Sequence, residues 1–286
     1  MPLNRELIGK VYSAKKPFQV TAEKIASYAQ AYGDDNKLYF SSPAFAPPIF
    51  GYVVAFEAML NPIFDPKLNC DLMKLVHGEH YLKFHRLIRE GDEIKTKVAI
   101  KDIQEKSSGE IFILEMESVD NEDEKVLSSA GTFFLRGKRK EGGQDEKSKK
   151  EDLPQFKEKI FSSSSFIEEG MSKRYAEASG DRNPIHTDEP YAKSVGLPGI
   201  ILHGICTLAI AQKAIIDELL GGDPARLKSI SARFSGLVQI KDTITTEGGW
   251  LETPEELKQS LKRLLAFQTV NQRNEIILTY GRAEVI

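Results

Sequence analysis

Cysteine is scarce in this chain, long apolar runs are missing, and neither sign of charge predominates. The 286 residues include two cysteines, Cys70 and Cys206, whose separation argues against a disulfide framework and against a cysteine-rich metal site. A formal net charge of −3 provides no basic field for nucleic acid. The apolar stretch at residues 200–210 is too short to span a bilayer, and residues 1–10 lack the apolar core of a signal peptide. We therefore expect free thiols, no nucleic-acid partner, no membrane insertion and a cytoplasmic location.

Residues 137–159 differ from the rest of the chain in composition. Their sequence, GKRKEGGQDEKSKKEDLPQFKEK, is dense in Lys, Glu and Asp and has almost no apolar side chain to bury. Such a segment does not offset the entropy cost of ordering, so we predict a solvated linker. It divides the chain into a first domain, residues 1–136, and a second domain, residues 160–286, each of ordinary domain size.

The two halves share sequence blocks in the same order. Residues 83–96 and 233–246 match at an offset of 150, with identical Phe, Leu, Asp, Ile and Thr residues. Residues 28–36 and 175–183 match at an offset of 147, as Tyr-Ala-x-Ala-x-Gly-Asp-x-Asn. Gly131 and Gly281 also share the offset of 150. The chain is therefore interpreted as an internal duplication.

The same order of predicted elements occurs in each half. A short amphipathic helix, N-capped by Thr21 in the first half and by a Ser in the second, precedes a Pro/Gly-rich loop and an apolar helix. The second apolar helix stops at Gly221-Gly222, and strand-like runs follow in both halves. The predicted helices are residues 21–32, 49–61, 165–179 and 205–220, and the predicted strands are residues 81–87, 93–103, 111–119, 126–135, 229–238, 243–250, 263–271 and 275–285. This order predicts an α+β fold in which an antiparallel sheet wraps around one buried helix in each half.

A candidate acid/base pair lies in the stretch Gly180-Asp181-Arg182-Asn183-Pro184-Ile185-His186. Asp-x-Asn-Pro is also good turn chemistry, so a purely structural role for Asp181 and Asn183 stays open. His186 follows Asp181 by five residues across a proline-stiffened turn, so the two side chains could converge. A histidine beside a carboxylate is suited to moving a proton to or from water near neutral pH.

A Gly/Pro-rich loop and an apolar helix follow this pair. The sequence from residue 196 is Gly-Leu-Pro-Gly-Ile-Ile-Leu-His-Gly, and the helix opens near Gly204. Backbone N–H groups at a helix start are unpaired and carry the positive end of the helix dipole, and a glycine there lets a ligand oxygen approach. This predicts an oxyanion site beside the acid/base pair. In the alternative interpretation these glycines only permit close packing of a central helix.

The segment from Tyr175 to His186, with the small residue Ala192 six positions later, resembles the signature of the MaoC-like (R)-specific enoyl-CoA hydratases. The resemblance implies two tandem hot-dog domains that form a pseudo-dimeric double hot-dog, with a degenerate first half and a catalytic second half. It also implies that Asp181 and His186 hold and activate the catalytic water. Asn183 then orients the pair, and Gly204 donates its N–H to the thioester carbonyl.

The first half carries Gly33-Asp34-Asp35-Asn36-Lys37-Leu38-Tyr39 at the matching place. Tyr39 replaces the histidine, and a tyrosine with an ordinary pKa near ~10 is no base at neutral pH, so this half should be inert. The segment Ala46-Pro47-Pro48-Ile49-Phe50 resembles the substrate-binding half of double hot-dog relatives. The resemblance implies an acyl tunnel, in which we expect Pro48 and Phe50 together with Gly199 and Ile200. Alternatively, the first half simply replaces a second subunit in packing.

The function implied by this resemblance is a hydro-lyase reaction of fatty-acid metabolism, the reversible hydration of trans-2-enoyl thioesters to (R)-3-hydroxyacyl thioesters. The expected partner is an acyl-CoA or an acyl-carrier-protein thioester, with no cofactor and no metal, and the expected assembly is a homodimer of double hot-dogs. Three alternatives stay open: a 3-hydroxyacyl-ACP dehydratase of fatty-acid synthesis, a hot-dog thioesterase, and a non-catalytic acyl-binding subunit.

Overall fold

The structure, a computed structural model, describes residues 2–137, 156, 158–251 and 261–286. The predicted linker at residues 137–159 lies almost wholly outside this range, so the domain boundaries stay predictions. The helices are α1 (Ala22–Ala31), α2 (Phe50–Ile63), α3 (Met171–Ser179), α4 (Glu189–Ser194) and α5 (Gly204–Leu219). The strands are β1 (Val11–Ser13), β2 (Phe18–Gln19), β3 (Leu75–Phe84), β4 (Glu93–Lys106), β5 (Gly109–Val119), β6 (Lys125–Arg136), β7 (Phe161–Phe166), β8 (Leu227–Phe234), β9 (Thr243–Trp250), β10 (Arg263–Asn271) and β11 (Ile276–Val285).

All of these strands belong to one antiparallel sheet whose order repeats about its centre. The order is β1-β4-β5-β6-β3-β8-β11-β10-β9-β7, with β2 also paired to β4. The strands β3 and β8 join the two halves, in register from Glu79 opposite Arg233 to Lys83 opposite Ser229. Reading outward from this joint, β6, β5 and β4 on one side correspond to β11, β10 and β9 on the other. The strand order therefore supports the predicted duplication.

The duplication extends to individual hydrogen bonds. The carboxylate of Asp92 accepts a hydrogen bond of 2.9 Å from the backbone N–H of Arg89. Its counterpart 150 residues later, Asp242, accepts a bond of the same length from the backbone N–H of Gln239. Each carboxylate closes the turn that leads into the next strand. The aspartates shared by the two sequence blocks are thus turn-forming residues.

The helices α2 and α5 are buried along most of their length. Both are apolar on nearly all sides, as expected for a helix covered by sheet and neighbouring helices. The helix α5 ends where predicted, at the Gly221-Gly222 pair. These glycines have positive φ angles of 65° and 77°, and the N–H of Gly222 donates to the carbonyl of Ile216 at 3.0 Å. Neither α5 nor another helix in the described part of the chain is long and apolar enough to cross a membrane.

One predicted helix begins too early in the sequence. Residues 161–166 form the strand β7, which pairs with β9, and α3 begins only at Met171. The predicted serine cap is also wrong, because Gly170, with φ of 87°, precedes the helix and makes no side-chain cap. The serines of β7 alternate between its two faces, which suits an extended strand. In the first half the prediction holds, since the hydroxyl of Thr21 accepts from the N–H of Lys24 at 3.3 Å.

Both cysteines are free thiols, as predicted. Burial raises the pKa of the Cys70 thiol to about 11 and raises the pKa of the fully buried Cys206 thiol as well. A raised thiol pKa suppresses the reactive thiolate, so neither residue resembles a catalytic nucleophile.

Candidate active site

A tight turn follows α3 and carries the predicted acid/base pair. The helix ends at Gly180, which has a φ of 81°. The carboxylate of Asp181 then accepts from the N–H of Asn183 at 3.2 Å, and the side-chain oxygen of Asn183 accepts from the N–H of Ile185 at 3.3 Å. These two bonds fold the chain into a 3-10 turn, Pro184–His186. Asn183 is exposed and acts on the turn that carries the pair, so its predicted role in orienting the pair stays a prediction.

His186 is held in one tautomer by the backbone. The residue is 8% exposed, and its Nδ1 lies 2.8 Å from the carbonyl oxygen of Ile201. A carbonyl oxygen can only accept, so the neutral ring carries its hydrogen on Nδ1 and leaves Nε2 as an acceptor. Burial lowers the pKa of His186, and the charge of Asp181 opposes this only in part. The ring is therefore prepared to take a proton at Nε2.

A third polar side chain, which the sequence analysis did not assign, completes the cluster. His203 is 2% exposed, and its ring stacks on that of His186 with centroids 3.7 Å apart and planes 26° apart. One nitrogen of each ring and one carboxylate oxygen of Asp181 all lie within 4.8 Å of one another. A histidine directly before an apolar helix was the signal that could have found it.

The cluster of Asp181, His186 and His203 is the one set of described residues with the composition of a metal site. Ligands of a zinc ion approach it from tetrahedral directions. The same three acceptors can also hold a water molecule by hydrogen bonds. The absence of a metal from the reaction stays a prediction.

Gly204, the predicted oxyanion donor, is the first residue of α5, and its neighbour His203 makes no side-chain cap to the helix. The N–H groups of a first helical turn have no acceptor within the helix. The ring of Phe234 lies 3.0 Å from the position that a Cβ atom would occupy at Gly204. A side chain at this position would therefore force the ring or the helix start to shift, and the helix start lies directly beside the cluster.

The predicted substrate-binding residues divide between the two halves. Gly199 is buried, and a Cβ atom there would lie 3.5 Å from the carboxylate of Glu189, whereas Ile200 is half-buried. Both precede His203 on the same segment. In the first half, Pro48 lines a small cavity of about 10 Å³. Their roles in binding stay predictions.

Phe50 lies deeper than a tunnel residue would. It is fully buried and packs edge-on against Tyr28 at 5.4 Å. Two further ring contacts, from Tyr28 to Tyr175 at 5.5 Å and from Tyr175 to His203 at 4.9 Å, connect it to the cluster. The predicted role of Phe50 in substrate binding stays a prediction.

Side chains of the first half that the sequence analysis did not assign form the opposite wall of the site. The ring of Phe56, on α2, lies 3.9 Å from the position of a Cβ atom at Gly180. The ring of His77, on β3, lies 5.1 Å from that of Phe234 and hydrogen-bonds at 3.1 Å to His80. Burial lowers the pKa of His77 to about 4, and the charge of Asp181 acts against this shift. Side chains of the first half thus lie beside Gly180 and Phe234, the two residues that flank the second-half cluster.

The first half keeps the same turn as the second half but lacks the histidine base. Asp34 accepts from the N–H of Asn36 at 3.2 Å, and Asn36 accepts from the N–H of Leu38 at 3.1 Å, as in the second half. Tyr39 is 1% exposed, and its hydroxyl has no hydrogen-bond partner among the described residues. Burial raises the pKa of Asp34 to about 6. The Asp-x-Asn motif is therefore kept as turn chemistry.

Comparisons with known proteins agree with this geometry. Residues 152–264 match the MaoC like domain, and residues 6–129 match the FAS1-like, dehydratase domain region. The chain therefore contains a MaoC like domain in its second half and a FAS1-like dehydratase region in its first half. It is 29% identical over 248 residues to the peroxisomal enoyl-CoA hydratase 2 of Arabidopsis thaliana, covering 81% of this chain and 75% of that protein.

Two solved structures show the fold of this MaoC-like chain. A MaoC-like dehydratase superposes with a TM-score of 0.82 at 19% identity, covering 98% of both chains. A Mycobacterium tuberculosis protein described as having a double hotdog fold superposes with a TM-score of 0.68 at 13% identity, covering 100% of this chain and 98% of that one. The predicted α+β fold, two tandem hot-dog domains in one double hot-dog, is confirmed.

Proposed function

We propose that this protein is a hydratase/dehydratase that reversibly hydrates trans-2-enoyl thioesters to (R)-3-hydroxyacyl thioesters. The observation that carries the proposal is the convergence of Asp181 and His186 beside the free N–H groups at the start of α5. The match of the second half to the MaoC like domain and the similarity to an enoyl-CoA hydratase 2 support the same reaction class.

The proposed reaction uses each of these groups at a defined atom. Asp181 and His186 hold one water molecule, whose oxygen bonds to C3 while the Nε2 of His186 or the carboxylate takes a proton. A proton returns to C2, so that one water is added across the double bond and the protein is unchanged. Negative charge develops meanwhile on the thioester oxygen, where the N–H of Gly204 donates a hydrogen bond. Such a donor typically lowers the barrier by about 3–4 kcal/mol.

Binding of the acyl group is assigned to the boundary between the halves. Gly199 and Ile200 lie on the segment that leads to the cluster, and Pro48 lies just before α2 in the first half. Asn183 shapes the turn under the acid/base pair. The first half thereby serves as the substrate-binding half, and Phe50 supports it from the core.

The dehydration direction is the second candidate, because both matched family descriptions refer to dehydratases. The same groups run the reaction backwards, with a 3-hydroxyacyl thioester as substrate. The proposed carrier is CoA, and kinetics with CoA and acyl-carrier-protein thioesters of the same acyl group distinguish the two carriers. We further propose that the protein forms a homodimer, which light scattering of the purified protein tests. We also propose a cytoplasmic location, which a fluorescent fusion tests.

Hydration of crotonyl-CoA, followed by the loss of enoyl absorbance and by chiral analysis of the product, tests the proposed function. The expected product is (R)-3-hydroxybutyryl-CoA. The absence of hydration, or an S product, contradicts the proposal. Release of free thiol from a saturated acyl-CoA without hydration of crotonyl-CoA indicates a thioesterase instead.

A further inference from the structure

One ring nitrogen of His203 has a hydrogen-bond partner among the described residues, and the other has none. The Nε2 of His203 lies 2.9 Å from the backbone carbonyl oxygen of Asp181. That oxygen can only accept, so the neutral ring carries its hydrogen on Nε2 and presents Nδ1 as a bare acceptor. Nδ1 is buried and lacks a hydrogen-bond partner among the described residues. A buried polar atom without a partner costs free energy, which a hydrogen bond from a bound water molecule can offset.

The neighbours of His203 indicate which molecule this is. Its ring lies face to face with that of His186, whose bond from Nδ1 leaves Nε2 as an acceptor, and the carboxylate of Asp181 adds a third. A site made of acceptors binds a molecule that donates hydrogen bonds. Water donates two hydrogen bonds, so one water molecule can bond to Nδ1 of His203 and to one of the other two acceptors at a time.

We propose that His203 is a third catalytic residue, whose Nδ1 accepts a hydrogen bond from the water that Asp181 and His186 activate. The inference rests on the proposed hydratase function and assigns a further residue to the same site. In this arrangement Nδ1 fixes the orientation of the water, so that one lone pair of its oxygen faces C3 of the substrate while His186 takes the proton. Burial lowers the pKa of His203 to about 3, which keeps the ring neutral and Nδ1 available.

The competing explanation is that His203 only anchors the carbonyl of Asp181. Two substitutions separate the roles, because an imidazole can be replaced by an amide at either nitrogen. In His203→Gln the amide reaches the place of Nε2, keeps a donor for the carbonyl and leaves no acceptor at Nδ1. In His203→Asn the amide oxygen takes the place of Nδ1, and the donor to the carbonyl is lost.

The experiment compares kcat and KM for crotonyl-CoA in the wild type, both variants and His85→Gln, an exposed-histidine control. We expect His203→Gln to lower kcat at least ~10-fold with little change in KM, and His203→Asn to retain more activity than His203→Gln. The control should equal the wild type. A His203→Gln variant that matches the wild type, or exceeds His203→Asn, overturns the proposal. An inactive wild type instead contradicts the hydratase function itself.

A second measurement decides the matter even where a variant does not fold. Long-range ¹H–¹⁵N spectra of the ¹⁵N-histidine-labelled wild type report the tautomer of each ring without any substrate. We expect the Nε2–H tautomer for His203, with its Nδ1 shifted as a hydrogen-bond acceptor. An Nδ1–H tautomer, or a free Nδ1 lone pair, overturns the proposal.

Discussion

Burial sets the protonation state of the proposed base, His186. Because burial lowers its pKa below 6.5, the neutral imidazole persists to lower pH than in a solvent-exposed histidine. Loss of the base form on acidification should therefore begin below pH 6.5. Initial rates of crotonyl-CoA hydration from about pH 5 to pH 8 measure this, and the acid limb of kcat/KM should lie below ~6.5. An acid limb above that value contradicts a buried, neutral His186.

Tyr39, which takes the place of the histidine in the first half, should contribute nothing to turnover. Tyr39→Phe removes a buried hydroxyl that has no partner among the described residues. We expect crotonyl-CoA hydration to stay within about twofold of the wild type and the melting temperature to stay equal or rise, because no hydrogen bond is lost. A large fall in either quantity shows that the hydroxyl has a bonded partner.

The start of α5 is the element on which the oxyanion site depends. Gly204→Ala places a methyl group 3.0 Å from the ring of Phe234, so the helix start or the ring must shift. We expect kcat/KM for hydration to fall about 10- to 100-fold, because a misplaced N–H donor stabilises the thioester oxygen less.

The first half offers a matched control for this substitution. Gly51, the second residue of α2, has a side chain of Leu127 at the same 3.0 Å from its Cβ position. Gly51→Ala should therefore cost comparable stability, measured by thermal unfolding, and leave hydration nearly unchanged. An equal loss of activity in both variants contradicts a specific role for Gly204.

At the scale of elements, the sequence predicts best where the pattern is local. The strands β9 and β10 have the predicted bounds of residues 243–250 and 263–271, because alternation is specified within each strand. The start of α3 was misplaced, since a run of serines suits a strand and a helix cap equally. The short helix α4 and the strands β1 and β2 were not predicted, because two to six residues carry too little periodicity.

The same distinction holds for the site. Asp181 and His186 could be predicted from the sequence because they are only five positions apart and a proline turn lies between them. His203 is placed by its bond to Asp181, 22 residues away, and its stacking on His186. His77 is placed by the pairing of β3 with β8, which joins the halves. Contacts of this kind depend on tertiary packing, and no single sequence pattern encodes them.

The two halves share one continuous sheet and a buried contact between their helices. The pairing of β3 with β8 continues the sheet across the boundary, and the buried hydroxyls of Tyr28 and Tyr175 hydrogen-bond at 3.1 Å between the helices α1 and α3. A protease site introduced within residues 137–159 should therefore be cleavable without separating the fragments. Both should co-elute in gel filtration, with hydration within about twofold of the uncut protein. Dissociation or loss of activity contradicts a shared core and a linker without a catalytic role.

The whole-molecule account requires that the acid/base pair of the second half carries turnover. Its most direct test is kcat/KM for crotonyl-CoA in Asp181→Asn and His186→Ala, with Asp188→Asn as the control. Asp188 is an exposed carboxylate that caps α4 by accepting from the N–H of Tyr191, and asparagine can cap equally well. In both site variants kcat/KM should fall at least ~100-fold while the protein stays folded, and the control should equal the wild type. An Asp181→Asn variant within about tenfold of the wild type contradicts the central claim.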